Sequence, residues 1–141
     1  QDGERMAYAN SIWVLMDTKK GIPVRVTKEI SDAYGLEPQL PMQCSERKIM
    51  LPVKYEEKDS LVVPSYFIDT NHHMNNSRYV QAAMEYVPKE FRTTEVRVEY
   101  KKAAMCRDVI VPHVTIEDPR VTVALCAPDG QPYAVVVFLK A

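Results

Sequence analysis

Residues 5–17 set Met6, Tyr8, Ile12, Val14 and Met16 against Ala7, Ala9, Trp13 and Leu15, so both faces of an extended segment carry apolar groups. That pattern predicts a strand covered on both sides. Asp17-Thr18-Lys19-Lys20-Gly21 supplies turn chemistry, and residues 22–26 are expected to return as the second arm of a hairpin, with Pro23 confined to an edge or a first position. Thr27 is placed to cap a short helix running to Tyr34, with Gly35 where a left-handed C-terminal residue is wanted. Residues 36–58 contain Pro38, Pro41 and Pro52 and hold no sustained period of 2 or 3.6, which reads as a connector between two packing units.

Order returns at Ser60. Residues 61–69 read as a strand, and residues 75–87 place Tyr79, Val80, Ala83, Met84 and Val87 on one helical face until Pro88 stops them. A helix over those positions would be about 20 Å long at 1.5 Å per residue, enough to cross the concave face of a sheet. Val96, Val98 and Tyr100 then alternate with Glu95, Arg97, Glu99 and Lys101, the pattern of a strand with one dry and one wet face. Residues 108–117 form a further candidate strand, in which Pro112 calls for a bulge or an edge. Residues 120–126 and 132–140 flank Ala127-Pro128-Asp129-Gly130 and predict a hairpin. A strand, a long helix and four strands in succession predict an α+β domain with an antiparallel sheet wrapped on one helix.

Composition narrows the functions open to such a fold. The chain has 141 residues, enough for about one domain, and its 46% hydrophobic content supports a core. Eighteen Lys and Arg against nineteen Asp and Glu leave a net charge of −1, which gives no general attraction for nucleic acid or an anionic membrane. No apolar run approaches the ~20 residues of a membrane span, and the N-terminal sequence lacks the layout of a signal peptide. Cys44, Cys106 and Cys126 are odd in number and lack metal-ligand spacing, which suits reduced thiols in a cytoplasm. Only four glycines are present, and none forms a phosphate-cradling motif.

Candidate chemistry is concentrated in Asp69-Thr70-Asn71-His72-His73-Met74-Asn75-Asn76-Ser77-Arg78-Tyr79, where the predicted strand gives way to the predicted helix. A helix N-terminus has unpaired N–H groups and partial positive charge, suited to polarising a carbonyl and stabilising an oxyanion. His73 can exchange a proton near neutral pH, Asp69 could orient its ring, and Asn71 offers an amide for positioning a water or an oxygen. Plainer roles account for the same residues. Asn75, Asn76 and Ser77 are ordinary capping residues, and His73 could serve as a structural hydrogen-bonding group. Adjacent His72 and His73 point to opposite faces of an extended segment, so joint metal binding is disfavoured and no metal is expected. His113, within a predicted strand, reads as a core or surface residue.

The run Asp69-x-Asn71-x-His73-x-Asn75-Asn76-x-x-Tyr79 resembles the acyl-acyl-carrier-protein (acyl-ACP) thioesterases, hot-dog enzymes that end fatty-acid synthesis. Residues 9–17 look like closing strands of that family's first hot-dog domain, and Val98-Glu99-Tyr100-Lys101-Lys102 looks like a strand of its second. The resemblance implies residues 1–35 as the tail of a first hot-dog domain, 36–58 as connector and 59–141 as a complete second one. It implies Asp69, Asn71 and His73 as a catalytic set, with Asn75, Asn76 and Tyr79 in substrate binding, acting without metal or organic cofactor. Ala103 stands where many relatives hold a catalytic Glu. The implied reaction is hydrolysis of a fatty acyl thioester on acyl carrier protein, an acidic partner that Arg97, Lys101, Lys102 and Arg107 could receive. Two other functions fit the residues: an acyl-coenzyme A thioesterase, and a non-catalytic acyl-binding or assembly module. No nucleic acid and no membrane insertion are expected, and sheet-to-sheet pairing into a homo-oligomer is.

Overall fold

The structure, a computed structural model, describes residues 3, 6–35, 37–38, 40–42 and 46–140. Cys44, the first position of the 5–17 segment and the first position of the expected connector lie outside the described residues. Two compact units are present, Gln1–Ser45 and Glu46–Ala141.

In the first unit, β1 (Met16–Asp17) pairs antiparallel with β2 (Ile22–Pro23). Asp17 makes the turn: its carboxylate accepts the N–H groups of Lys19 and Lys20, and Gly21 donates to its carbonyl from a φ of +66°. The strand is much shorter than the alternation of residues 5–17 predicts, and Trp13 is 84% exposed. Alternating apolar residues make a strand only where an edge pairs them and a layer covers them. Among the described residues only Ile22–Pro23 pairs with β1. Helix α1 (Lys28–Asp32) begins at Thr27, whose hydroxyl accepts from Ile30 N–H, and Gly35 takes a left-handed φ of +59°.

The second unit contains β3 (Glu56–Glu57), β4 (Leu61–Val62), a 3-10 turn (Ser65–Phe67), helix α2 (Asn76–Met84), β5 (Glu95–Tyr100), β6 (Val109–Glu117), β7 (Arg120–Cys126) and β8 (Pro132–Leu139). All pairings are antiparallel in the order β3-β6-β7-β8-β5, with β4 also on β6. Both β3 and β4 lie along one side of β6, and Pro112 falls between their registers. Its carbonyl accepts from Lys58 N–H on that side, so its nitrogen, which has no hydrogen to donate, faces the gap rather than β7. The β7–β8 hairpin closes through Gly130, at φ +83°, donating to the Ala127 carbonyl.

Two departures from the predicted elements follow from proline. The segment 61–69 is a strand for two residues only, because Pro64 ends the ladder and its carbonyl starts the 3-10 turn by accepting from Phe67 N–H. Helix α2 has nine residues, about 13 Å, rather than thirteen. Pro88 disfavours helical geometry at Val87, and the last turn tightens into Tyr86 N–H to Ala83 and Val87 N–H to Met84 bonds.

Strands β7 and β8 are buried on both faces. Val121, Val123, Leu125, Ala134, Val136 and Phe138 pack with Tyr79 and Ala83 of α2. On the opposite face Ala124, Cys126, Val135 and Val137 pack with Ile49. Ile49 is anchored there by its N–H on the Glu99 carboxylate, and nearby the Arg97 guanidinium donates to the Glu46 carbonyl. Residues 46–58, expected as connector, therefore lie within the second unit, covering a sheet face and adding β3. Prolines and mixed charges conceal this, because a segment laid across a sheet needs one anchoring apolar residue and no period.

Candidate active site

The polar cluster forms a tight hairpin between the 3-10 turn and α2. Ile68 and Met74 face each other as a single β-bridge, and Asp69 N–H donates to the His73 carbonyl. His72 donates to the Asp69 carbonyl from a left-handed φ of +63°. Met74 is the hairpin's apolar anchor: it is buried, and its N–H donates to the Ala104 carbonyl. Asn71 and His73, which precede it in the hairpin, are exposed.

The Asp69 carboxylate is half-buried and accepts the Asn71 N–H at 2.8 Å. It thus shapes the turn. Among the described residues no hydrogen bond joins it to the His73 imidazole, contrary to the expectation that it orients the ring. Asp69, Asn71 and His73 are gathered on one hairpin through main-chain bonds and one carboxylate.

Asn75 caps α2, its side-chain oxygen accepting from Ser77 N–H at 3.0 Å and from the Ser77 hydroxyl at 2.7 Å, while its own N–H donates to Phe67. The Asn76 carbonyl accepts from the Tyr100 hydroxyl at 3.1 Å. Tyr79, placed in the substrate-binding set by resemblance, is 2% exposed, and its hydroxyl accepts the buried Ala104 N–H at 2.8 Å. Burial raises its pKa, opposed by that N–H and assisted by the charges of Asp108 and Asp69. Tyr79 is a support between helix and loop.

The loop it supports, residues 101–108, is the part of the site that short-range pattern does not reveal. Ala104 is held by both its N–H and its carbonyl, leaving Ala103 exposed beside it. Asp108 closes the loop by accepting from Met105 N–H at 2.9 Å and from the Tyr133 hydroxyl at 3.2 Å. Burial, that hydrogen bond and the Asp108 charge raise the Tyr133 pKa. Cys106 is exposed, whereas burial pushes the Cys126 thiol up. The candidate docking cations are partly engaged: Lys101 with Glu99 at 2.8 Å, Arg97 with the Glu46 carbonyl and Lys102 over the Tyr133 ring.

An open groove of about 290 Å³ lies between β4, the 3-10 turn and α2, lined by Leu61, Val62, Phe67, Ala82 and Tyr86 among others. Phe67 joins it to the helix start, since its carbonyl holds Asn75 N–H; Asp69, Asn71 and His73 stand outside it. His113 stacks on Tyr55 at 4.0 Å with Glu57 at 3.7 Å, remote in register from the hairpin and occupied in holding β3.

An antiparallel sheet in this strand order, packed on one helix with a polar hairpin at the helix N-terminus, defines a hot-dog fold of the α+β class. Solved structures agree: an acyl-ACP thioesterase from Bacteroides thetaiotaomicron superposes with a TM-score of 0.72 at 16% identity, covering 88% of this chain and 52% of that one. The 12:0-ACP thioesterase from Umbellularia californica gives 0.71 at 14% identity, covering 88% and 51%. The sequence model of the acyl-ACP thioesterase C-terminal domain matches residues 52–123, and the chain belongs to that family. A chloroplastic acyl-acyl-carrier-protein hydrolase of Cuphea viscosissima is 30% identical over 131 residues, covering 83% of this chain and 31% of its own length. The chain spans about a third of the length of the curated relatives it matches. Among the described residues no helix is long and apolar enough to cross a membrane.

Proposed function

We propose that this chain supplies the hydrolytic site of an acyl-ACP thioesterase, cleaving fatty acyl thioesters on acyl carrier protein to free fatty acids. The observation that carries the reading is the family match over residues 52–123, which contains the whole Asp69–Tyr79 hairpin and helix start. Exposed His73 is open to solvent, and the partial positive charge of the α2 N-terminus favours an oxyanion. In this mechanism His73 takes a proton from water as its oxygen attacks the thioester carbonyl, Asn71 orients that water, and Asp69 holds the turn that presents both. Collapse of the tetrahedral intermediate breaks the C–S bond. The departing sulfur takes the proton that His73 accepted from water, which returns His73 to its neutral form, and the fatty acid is released. No cofactor enters the reaction.

The reading includes residues 1–35 as the tail of a first hot-dog domain, self-association through β5, the outermost strand beyond β8, and a cytoplasmic setting supported by the free thiols Cys106 and Cys126. Acyl-coenzyme A is the competing donor. A second reading, a non-catalytic acyl-binding module, is favoured by Ala103 and by an imidazole with no hydrogen bond to Asp69. Turnover of medium and long acyl-ACP and acyl-coenzyme A by wild type and His73→Ala separates them. Loss of at least about 10²-fold in His73→Ala is expected for a positioned base; equal turnover removes His73 from the mechanism, and no turnover in wild type leaves the binding module.

A further inference from the structure

We propose that Asp108 is a positioning residue of the site, holding the 101–107 loop against the N-terminus of α2. The inference rests on the hydrolase reading and adds to it a residue outside the hairpin motif. Three segments meet at Asp108. Its carboxylate accepts from Met105 N–H in the loop and from the Tyr133 hydroxyl at the start of β8. Its main chain donates to the Met105 carbonyl and accepts from Val63 N–H, and the Val63 carbonyl in turn accepts from Arg107 N–H, with Arg107 in a left-handed φ of +71°. The turn 105–108 is therefore closed on itself and fastened to both β8 and the segment that leads to the hairpin.

From that fixed turn the loop reaches the site in one residue. Ala104 N–H meets the Tyr79 hydroxyl, and the Ala104 carbonyl meets Met74 N–H, the residue between His73 and the Asn75 cap. Asp108 thus fixes Met105, Met105 fixes the approach of Ala104, and Ala104 fixes both the hairpin and the first turns of α2. Asp108 touches no reacting atom in this scheme. Both donors meet the same carboxylate oxygen, Oδ2, which aims the side chain at Met105 and Tyr133.

The test compares wild type, Asp108→Asn, Asp108→Ala and Tyr133→Phe by amide hydrogen exchange and by kcat and KM on acyl-ACP. Asp108→Ala is expected to speed exchange at Met105, Ala104 and Met74 by about tenfold or more, as local opening becomes easier. It is expected to lower kcat about 10–100-fold with little change in KM, the effect of misplacing a reacting group by about 1 Å. Asp108→Asn keeps an acceptor oxygen and should recover most of both, while Tyr133→Phe, which leaves the Met105 bond intact, should fall between. Unchanged exchange at Ala104 and Met74 in Asp108→Ala, or an asparagine variant no better than the alanine one, overturns the proposal. If Asp108→Ala does not fold, the Asn and Phe variants decide: wild-type kcat and exchange in Tyr133→Phe overturn it. Absence of turnover in wild type defeats the hydrolase reading instead, and the exchange data still judge the loop.

Discussion

Replacing Tyr79 by Phe removes one oxygen atom from the interior and keeps the ring, including its edge contact with Tyr100 at 5.7 Å and 71°. What remains is the Ala104 N–H, on a residue with no exposed surface, which had donated to that hydroxyl at 2.8 Å. The loss is larger than the net value of an average hydrogen bond, about 0.5–1.5 kcal/mol, because the donor stays buried without a partner; about 1–3 kcal/mol is expected. Tyr100→Phe is the internal control. It deletes a hydroxyl bonded to the Asn76 carbonyl at 3.1 Å, but Tyr100 is 44% exposed and water can replace it, so the cost should stay within about 0.5 kcal/mol. Urea unfolding reads the difference. With m of about 1–3 kcal/mol/M, a 2 kcal/mol loss moves the midpoint by about 1 M at unchanged m. Equal midpoints for the two variants would refute the assignment of Tyr79 as the support of the 101–108 loop.

Glu99 gives a pH prediction of defined sign. Burial pushes its carboxyl up, but the Lys101 hydrogen bond, the Ile49 N–H and the charges of Lys101 and Lys48 together outweigh burial and leave it below the ordinary carboxylate value. A folded pKa below the unfolded one stabilises the protein above the unfolded value and ceases to do so as pH falls through the folded one. Wild type should therefore lose urea resistance as pH falls from the ordinary carboxylate value through the lower folded one, and Glu99→Gln should be weaker at neutral pH with a shallower acid decline; identical slopes would dismiss the Ile49 anchor. Ala103 gives a gain-of-function prediction. Its side chain is exposed beside the doubly bonded Ala104, so Ala103→Glu introduces an acid without a clash and should raise kcat on acyl-ACP by part of the ~10²–10⁴-fold available to a positioned base. Turnover equal to wild type would show that no acid is wanted at that position.

Local pattern located β5, β6 and the β7–β8 hairpin nearly to the residue, because alternation and turn chemistry operate over a few positions. It also located the Thr27 cap and narrowed the α2 cap to Asn75, Asn76 or Ser77, of which Asn75 is the cap. Pattern overextended the residue 5–17 strand and the helix, where apolar periodicity continued past the point at which a partner or a proline ended the element. It gave the ring of His73 to Asp69, whereas the shorter reach from that carboxylate to the Asn71 N–H, two residues on, satisfied it within the turn.

The sequence by itself determined which residues could carry chemistry, since a polar run ending in a capped helix is specified by side-chain types at fixed spacing. Tertiary structure alone decided what stands behind them: Ile49 packed on the outer face of the sheet, Glu56–Glu57 added to it as β3, Tyr79 turned inward to Ala104, and Asp108 tied to Met105 and Tyr133. These contacts join residues 25 or more positions apart in several cases, and no local periodicity encodes them. They form because buried N–H and hydroxyl groups must find partners once the sheet has closed over the helix, and the nearest partners in space are then set by strand order rather than by neighbours in the chain.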